Sequence, residues 1–238
     1  MITTLTNAGA LAHLPEKTWK MCQSLQTQLT LSPFEFSSLA DSPCDAAVYA
    51  MCWHIELEEQ TAAECRVLHV SGSGGELIHT LIIPEMPDRL PLFTAFLCKE
   101  NGGGCMAHVD LATPGMAPSL RDEVSEMSTA LAIRHASFLP RTMVAPSWAP
   151  DSAGGVLVHQ DRGHVCSERL CQVYEDYLNV WLDCFAMLPQ QPSCQSNGLM
   201  ELSKFKQTFE KRAPSQAAVY RLLGKAAASR ILDEFICR

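Results

Sequence analysis

The sequence predicts an α/β fold, a three-layer α/β/α sandwich with a central antiparallel β-sheet flanked by helices. Three observations lead to this prediction. Short apolar segments rich in β-branched and aromatic residues follow one another from about residue 46 to residue 112, as strands do. Glycine-rich tetrapeptides separate several of these segments. The regions before and after them show the apolar spacing of helices.

Length and composition fit an ordinary globular protein with a single domain, residues 1–238. Of the 238 residues, 47% are hydrophobic and 18% are charged, which excludes fibrous and wholly disordered proteins. The formal net charge is −8 and the sequence pI is near 5.4. General nucleic-acid binding requires a net basic surface, so no nucleic-acid partner is expected.

The N-terminal region predicts one packing helix that begins near Pro15, because proline suits the first helical position. Apolar residues follow Pro15 at helical spacing. They are Trp19, Cys22, Leu25 and Leu29. Residues 32–43 begin and end with Ser-Pro, which indicates a loop.

Five strands are predicted in the central region. They cover residues 47–55, 65–70, 77–83, 92–98 and 105–111. Glycine-rich hairpin signals at residues 71–75 and 101–104 make the neighbouring strands antiparallel. The simplest topology is a meander.

The third predicted strand is apolar on both faces. Leu77, Leu81 and Ile83 alternate with Ile78 and Ile82, so both faces of the sheet need to be covered. Helices are expected to provide that cover. The candidates are residues 119–138, 164–188 and 199–235, the last interrupted around Pro214.

The 11 cysteines form no familiar metal or redox motif. Their spacing contains no C-x-x-C pair, which removes the usual zinc-ribbon, thioredoxin and ferredoxin-type sites. The first residues lack a basic secretory signal, and no apolar run is long enough to span a bilayer. We expect a soluble intracellular protein with reduced, buried cysteines and no metal site.

Phosphate-binding and hydrolase motifs find no support. The tetrapeptides GSGG and NGGG lack the P-loop lysine and the Rossmann spacing, so both are interpreted as turns. The sequence contains no G-x-S-x-G elbow and no H-E-x-x-H motif.

His79 is the most informative titratable residue, because it lies in the middle of the third predicted strand. It shares a face with Leu77, Leu81 and Ile83. A buried imidazole at this position is either a core histidine with a satisfied hydrogen bond or a proton donor in a cavity.

The segment between residues 204 and 230 is locally basic, although the chain is acidic. Glu210 is its only acid, and its basic residues are Lys204, Lys206, Lys211, Arg212, Arg221, Lys225 and Arg230. The segment is either a solvated helix face or a patch for an acidic protein or for ligand carboxylates.

Several short motifs, taken in order, resemble the ferredoxin-dependent bilin reductases. They are Leu77-Ile78-His79-Thr80-Leu81-Ile82-Ile83-Pro84-Glu85, Leu90-Pro91-Leu92-Phe93, Val109-Asp110-Leu111-Ala112-Thr113-Pro114, Pro146-Ser147-Trp148, Val156-Leu157-Val158, Glu168-Arg169-Leu170 and Tyr220-Arg221-Leu222-Leu223-Gly224. The resemblance implies an α/β/α sandwich that holds an open-chain tetrapyrrole, usually biliverdin, between the sheet and the C-terminal helices. It implies reduction by single electrons from ferredoxin, with no bound flavin, nicotinamide or metal.

Within this resemblance, His79 matches the family's histidine on the central strand, where it would act as a proton donor. The family's glutamate and its two aspartates fall instead at Val67, at Phe96 and near Ala213. The polar position expected near a propionate is Cys105. We expect Val67, Phe96, Cys105 and Ala213 to line the substrate pocket.

These replacements leave three functions open. In the first, the protein is a divergent reductase in which another acid donates the proton. His69 is favoured for this role over Glu64 and Glu76, because it shares a face with Val67. Alternatively, the protein binds a tetrapyrrole without reducing it. The third is an enzyme similar to red chlorophyll catabolite reductase, which residues 181–183 (Trp-Leu-Asp) resemble. The candidate catalytic residues are His79 and His69.

The resemblance also implies a partner and a location. An acidic ferredoxin would dock on the basic segment. The candidate docking residues are Lys204, Lys206, Lys211, Arg212 and Arg221. We expect a monomer, in the cytoplasm of a bacterium or in the plastid stroma of a photosynthetic eukaryote.

Overall fold

The computed structural model describes residues 9–25, 29–32, 46–57, 60–136, 142–143, 156–160, 167–188, 198–212 and 215–233. For residues 30–32, 142–143, 156–160, 209–212 and 215 the description covers the backbone alone.

Eight strands and five helices are found in this part of the chain. The strands are β1 (Leu29–Ser32), β2 (Ala47–Leu57), β3 (Gln60–Gly72), β4 (Gly75–Pro84), β5 (Leu92–Glu100), β6 (Cys105–Ala112), β7 (Thr142–Met143) and β8 (Val156–Gln160). The helices are α1 (Leu14–Gln23), α2 (Pro118–Ala136), α3 (Ser167–Ala186), α4 (Gly198–Arg212) and α5 (Ser215–Ile231).

All eight strands belong to one antiparallel sheet in the order β1-β2-β3-β4-β5-β6-β8-β7. The predicted meander is therefore confirmed from β2 to β6. Strands β1, β7 and β8 extend the sheet beyond the five predicted strands. They are short segments, and a segment of two to five residues is too short for strand periodicity to be read.

Helices cover both faces of the sheet, which confirms the predicted α/β/α sandwich. Strand β4 lies in the middle of the sheet and is buried at every position. Helices α1, α2 and α3 cover one face, which we call the α1–α3 face, and α4 and α5 cover the other, which we call the α4/α5 face. Side chains alternate between two separate hydrophobic cores along each strand.

The α1–α3 face is held by aromatic residues of α3. The Tyr174 hydroxyl lies 2.6 Å from Thr18 Oγ1 of α1 and 2.9 Å from Thr80 Oγ1 of β4. The Trp181 indole N–H donates to the Pro91 carbonyl at 2.9 Å. These buried hydrogen bonds link α1, α3 and the sheet, because a buried polar group needs a partner. Trp181, the first residue of the Trp-Leu-Asp motif at 181–183, is therefore a residue of the hydrophobic core.

The α4/α5 face is held by packing of apolar side chains. Leu202 and Phe205 of α4, and Val219 and Leu223 of α5, are buried against Leu81 and the other apolar residues of the sheet. The predicted interruption near Pro214 agrees with the end of α4 at Arg212 and the start of α5 at Ser215, although residues 213–214 lie outside the described part. A second break occurs at Gly224, whose φ of 72° is not helical.

Two local predictions need correction. Helix α1 ends at Gln23, and Leu29, which was expected to continue the helix, begins β1. Leu29 fits the helical spacing, but its segment pairs with β2. This tertiary interaction overrides the local pattern. Of the loop predicted at 32–43, Ser32 is the last residue of β1 and residues 33–43 lie outside the described part.

The described cysteines are buried, and none of them forms a disulfide within the described part of the chain. They are Cys22, Cys52, Cys65, Cys98, Cys105, Cys171 and Cys184. No group of three or more His, Cys, Asp and Glu side chains among the described residues could hold a metal ion. Among the described helices, none is both long and apolar enough to cross a membrane.

The tight turn between β3 and β4 gives a test of the fold. Gly75 has a φ of 142°, and a Cβ there would overlap the Lys99 carbonyl oxygen. We expect Gly75→Ala to lower the free energy of unfolding by about 1–3 kcal/mol, as measured by chemical denaturation. Gly102→Ala is the matched control, because a Cβ there meets no described atom within 4 Å. Equal effects of the two substitutions would contradict the proposed constraint at Gly75.

Candidate functional site

A row of side chains crosses the α4/α5 face at the centre of the sheet. Strand pairing places Leu68 opposite His79, His79 opposite Phe96, and Phe96 opposite His108. His79 is 1% exposed, and its ring lies 6.2 Å from the ring of Phe96 at an interplanar angle of 64°. Because adjacent strands are about 4.8 Å apart, the backbones of His79 and His108 lie about 10 Å from each other.

A second polar pair lies beside this row. Thr94 of β5 faces Asp110 of β6, and Asp110 shares a face with His108 because the two are two residues apart. Thr94 is fully buried, and no hydrogen bond from its hydroxyl is found among the described residues. Asp110 is 1% exposed. Two imidazoles, one carboxyl group and one hydroxyl therefore lie on one buried patch of the sheet.

Burial decides the charge of both histidines. Burial and, to a smaller extent, the nearby His108 lower the pKa of His79 to about 3. Burial also lowers the pKa of His108 to about 4. Both imidazoles are neutral at pH 7, so each carries one N–H donor and one acceptor nitrogen. The patch can bind a ligand through hydrogen bonds without holding a positive charge.

The Arg66–Glu64 ion pair lies on the same face but cannot supply a proton. Two bonds of 3.0 and 2.9 Å join the Arg66 guanidinium to the Glu64 carboxylate, and Cys52 Sγ donates to it at 3.1 Å. Burial raises the pKa of Glu64, but these hydrogen bonds outweigh it, so the pKa lies below its usual value. Glu64, one of the alternative acids suggested by the sequence, is therefore a carboxylate at neutral pH.

His69 and Val67 do not share the site of His79, which corrects the sequence expectation. Both side chains lie on the α1–α3 face, because Val67 pairs with Thr80 and His69 pairs with Ile78. The His69 Nε2 atom lies 2.9 Å from the Glu76 carboxylate. Glu76 also accepts the backbone N–H of Leu11 at 3.0 Å. This buried cluster fastens the segment before α1 to the sheet.

Cys105 is a further correction, since its side chain joins the core of the α1–α3 face. It pairs with Lys99 at the end of the β5–β6 hairpin. Burial raises the pKa of the Cys105 thiol to about 11, so the thiol is protonated at neutral pH. Phe96 lies beside His79. Ala213 lies outside the described residues.

The sequence reasoning missed His108, Asp110 and Thr94 as members of one patch. The signal was present, because the hairpin at residues 101–104 pairs Lys99 with Cys105. Counting back from that pair places His108 opposite Phe96 and Asp110 opposite Thr94. The register places His108 on the α4/α5 face.

The expected docking residues lie on the two C-terminal helices. Lys204 and Arg221 are exposed and bind acids of this chain, Glu201 at 2.7 Å and Glu100 at 2.6 Å. Lys206 is half-buried. Lys211 and Arg212 lie in the last turn of α4, where the description covers the backbone alone. The basic character predicted from the sequence is thus partly offset by ion pairs.

A pocket of about 470 Å³ opens where β4 ends against α4. Its lining residues are Ile83, Pro84, Glu85, Leu199, Leu202, Ser203, Lys206 and Gln207. Ile83 lies four residues from His79 on the same strand and the same face. The pocket therefore lies at the edge of the layer that contains the His79 row, about 13 Å along the strand.

Comparison with solved structures identifies a similar fold. Phytochromobilin synthase from tomato, whose crystal structure is a complex with biliverdin, matches 95% of this chain and 82% of its own with a TM-score of 0.70. The sequences are 14% identical over the match, a level at which the similarity establishes the fold. No family model and no curated protein sequence matches the chain.

The two buried histidines predict an acid-sensitive fold. Ordinary histidines titrate near pH 6.5, whereas His79 and His108 stay neutral down to about pH 3 and about pH 4. Between these values the unfolded chain binds more protons, so stability falls as the pH falls. From pH 7 to pH 5, each histidine should reduce the free energy of unfolding by about 2 kcal/mol.

Denaturation at pH 7 and pH 5 measures this effect. We expect His79→Gln and His108→Gln each to lose about 2 kcal/mol less than the wild type over this interval. Phe96→Leu is the control, since it alters the same row without removing a titratable group, and it should keep the wild-type pH dependence. Variants that lose stability as steeply as the wild type would show that the histidines do not cause it.

Proposed function

We propose that this protein binds a linear tetrapyrrole, biliverdin or a related bilin, between the sheet and helices α4 and α5, and reduces it with electrons from ferredoxin. The observation that carries the proposal is the fold, which matches that of a protein solved with biliverdin over 95% of this chain. The ordered motifs around the central strand support it. The position of His79 on the α4/α5 face supports it as well.

The apolar surroundings of the row suit a large conjugated ligand. Phe96 and the aliphatic residues Leu68 and Leu81 are buried beside His79 in the apolar core of the α4/α5 face. Aromatic and aliphatic side chains favour a π-system through burial of apolar area. A neutral tetrapyrrole would lose little solvation on entering such a site, whereas a charged one would be penalised.

His79 would supply protons in step with electrons. Reduction of one double bond takes two electrons and two protons, and each added electron leaves negative charge on the bilin. A nearby negative charge raises the pKa of an imidazole, so His79, whose pKa is about 3, would gain proton affinity as the electron arrives. The imidazole then takes up a proton from solvent through bound water and passes it to the bilin.

Ferredoxin would approach the C-terminal helices. Lys204 and Arg221 are exposed there, and an acidic partner could exchange the intramolecular ion pairs with Glu201 and Glu100 for intermolecular ones. Charge complementarity of this kind mainly accelerates encounter. No cofactor of its own is required, because ferredoxin brings the electrons.

A second candidate is a tetrapyrrole-binding protein without reductase activity. Phe96 lies directly opposite His79, where the resemblance implies an aspartate, and Glu64 is held by Arg66. The row thus lacks the aspartate that the resemblance implies opposite His79, and the carboxyl group of Asp110 lies on β6, two residues from His108. Binding depends on the apolar surface and would survive this loss.

An anaerobic assay with biliverdin and reduced ferredoxin tests the proposal. We expect the bilin absorption spectrum to change over many turnovers in the wild type, and His79→Gln to lower the turnover number about 100- to 10,000-fold, the range for loss of a general acid. Chromatography of the product identifies the reduced double bond. His69→Gln is the matched control, because it changes a buried histidine on the opposite face.

Two results would count against reduction. If the wild type binds biliverdin but its spectrum stays unchanged, the protein is a carrier. If biliverdin does not bind at all, the proposal that the protein binds a tetrapyrrole is wrong.

Charge reversal on α4 tests the ferredoxin surface. We expect Lys204→Glu with Lys206→Glu to raise the KM for ferredoxin about tenfold at low ionic strength, with a smaller effect at high salt. Lys20→Glu is the control, because Lys20 is exposed on α1 in the opposite helix layer. If Lys20→Glu raises the KM for ferredoxin as much as the double change on α4, the cause is the net charge of the protein and not docking at α4.

A further inference from the structure

His108 lies in the candidate site but has no part in the proton transfer assigned to His79. It is 3% exposed and faces the same side of the sheet as His79, with Phe96 between them. The two imidazoles are close enough for His108 to affect the proton affinity of His79. They therefore belong to one electrostatic environment.

The neighbours of His108 indicate a ligand at this end of the row. Thr94 lies on the adjacent strand, fully buried, and its hydroxyl makes no hydrogen bond within the described part of the chain. A buried hydroxyl without a partner is costly. Thr94 pairs with Asp110, which is two residues from His108 on the same face, so the hydroxyl is available at the His108 end of the patch.

The spacing sets the size of the ligand. His79 and His108 are separated by two strand spacings, about 10 Å, and Phe96 fills the middle of the row. A ligand that contacts both imidazoles must extend beyond a single pyrrole ring and must lie flat over an aromatic ring. A linear tetrapyrrole has this extent and shape.

We propose that His108 is a second ligand-binding residue, which donates its imidazole N–H to a pyrrole ring other than the one served by His79, with Thr94 as a hydrogen-bonding neighbour. The inference rests on the proposed function, since it assumes a tetrapyrrole on the α4/α5 face. Two fixed donors on either side of Phe96 orient the ligand along the row. His108 therefore determines which ring lies over His79.

Histidine NMR on the wild-type protein tests this contact without a substitution. With ¹⁵N-labelled histidine, we expect addition of biliverdin to shift the ring nitrogens of both His79 and His108. The ring nitrogens of His69, on the opposite face and bound to Glu76, should stay in place. A shift of His79 without a shift of His108 would overturn the inference while leaving the proposed function intact.

Variants measure the strength of the contact. We expect His108→Gln to raise the Kd for biliverdin roughly 3- to 10-fold, the effect of losing one hydrogen bond, and to alter the absorption spectrum of the bound bilin. Thr94→Val keeps the side-chain shape and should weaken binding to a smaller extent. His69→Gln is again the matched control and should leave Kd unchanged.

The outcomes separate the two proposals. A His108→Gln variant that binds biliverdin with wild-type affinity and spectrum overturns the role of His108, while the His79→Gln result still decides the function. If His108→Gln does not fold, His108→Phe preserves the volume and removes the donor. If the wild type does not bind biliverdin, the proposed function fails, and the role of His108 fails with it.

Discussion

The register of the β3–β4 hairpin is the constraint on which the site depends. The two-residue turn at positions 73–74 pairs Gly72 with Gly75, and the backbone of Gly75 leaves no room for a side chain beside Lys99. This pair fixes His79 opposite Leu68. Because side chains alternate with a period of two, a slip of one residue would turn His79 to the α1–α3 face.

The same register divides the polar groups of the sheet between two different tasks. On the α1–α3 face, Tyr174 bridges Thr18 and Thr80, and Glu76 binds both His69 and the N-terminal segment. These groups satisfy one another, as a structural network does. The α4/α5 face instead holds two buried imidazoles beside the Phe96 ring, and the Thr94 hydroxyl, for which the described part of the chain supplies no hydrogen-bond partner. Under the proposed function, the bilin would supply a partner for this hydroxyl.

Local sequence patterns were sufficient for the layers and for most of the strands. The apolar residues of β4 on both parities predicted a covered central strand, and the glycine turns predicted antiparallel neighbours. The sequence predicts less well which face of the sheet each pocket residue occupies. The spacing of residues within a motif does not show how that strand pairs with its neighbours. Val67 and Cys105 stand where the motif spacing predicts pocket residues. The register of their hairpins places both side chains on the α1–α3 face, away from His79. Strands β7 and β8 depend on pairing between distant segments, which no local pattern contains.

Under the proposed function, burial of two neutral histidines would suit a site that receives electrons one at a time. In water, the solvent would screen an added charge within a few ångströms, and the imidazole would respond weakly to it. In a buried layer the same charge acts on His79 through a low dielectric, so reduction and proton uptake become coupled. A histidine that was already charged would gain nothing from the electron, and burial of its charge in this layer would have a high cost. Under the proposed function, the low pKa of His79 is therefore the property that would let it take up a proton when a bilin is reduced.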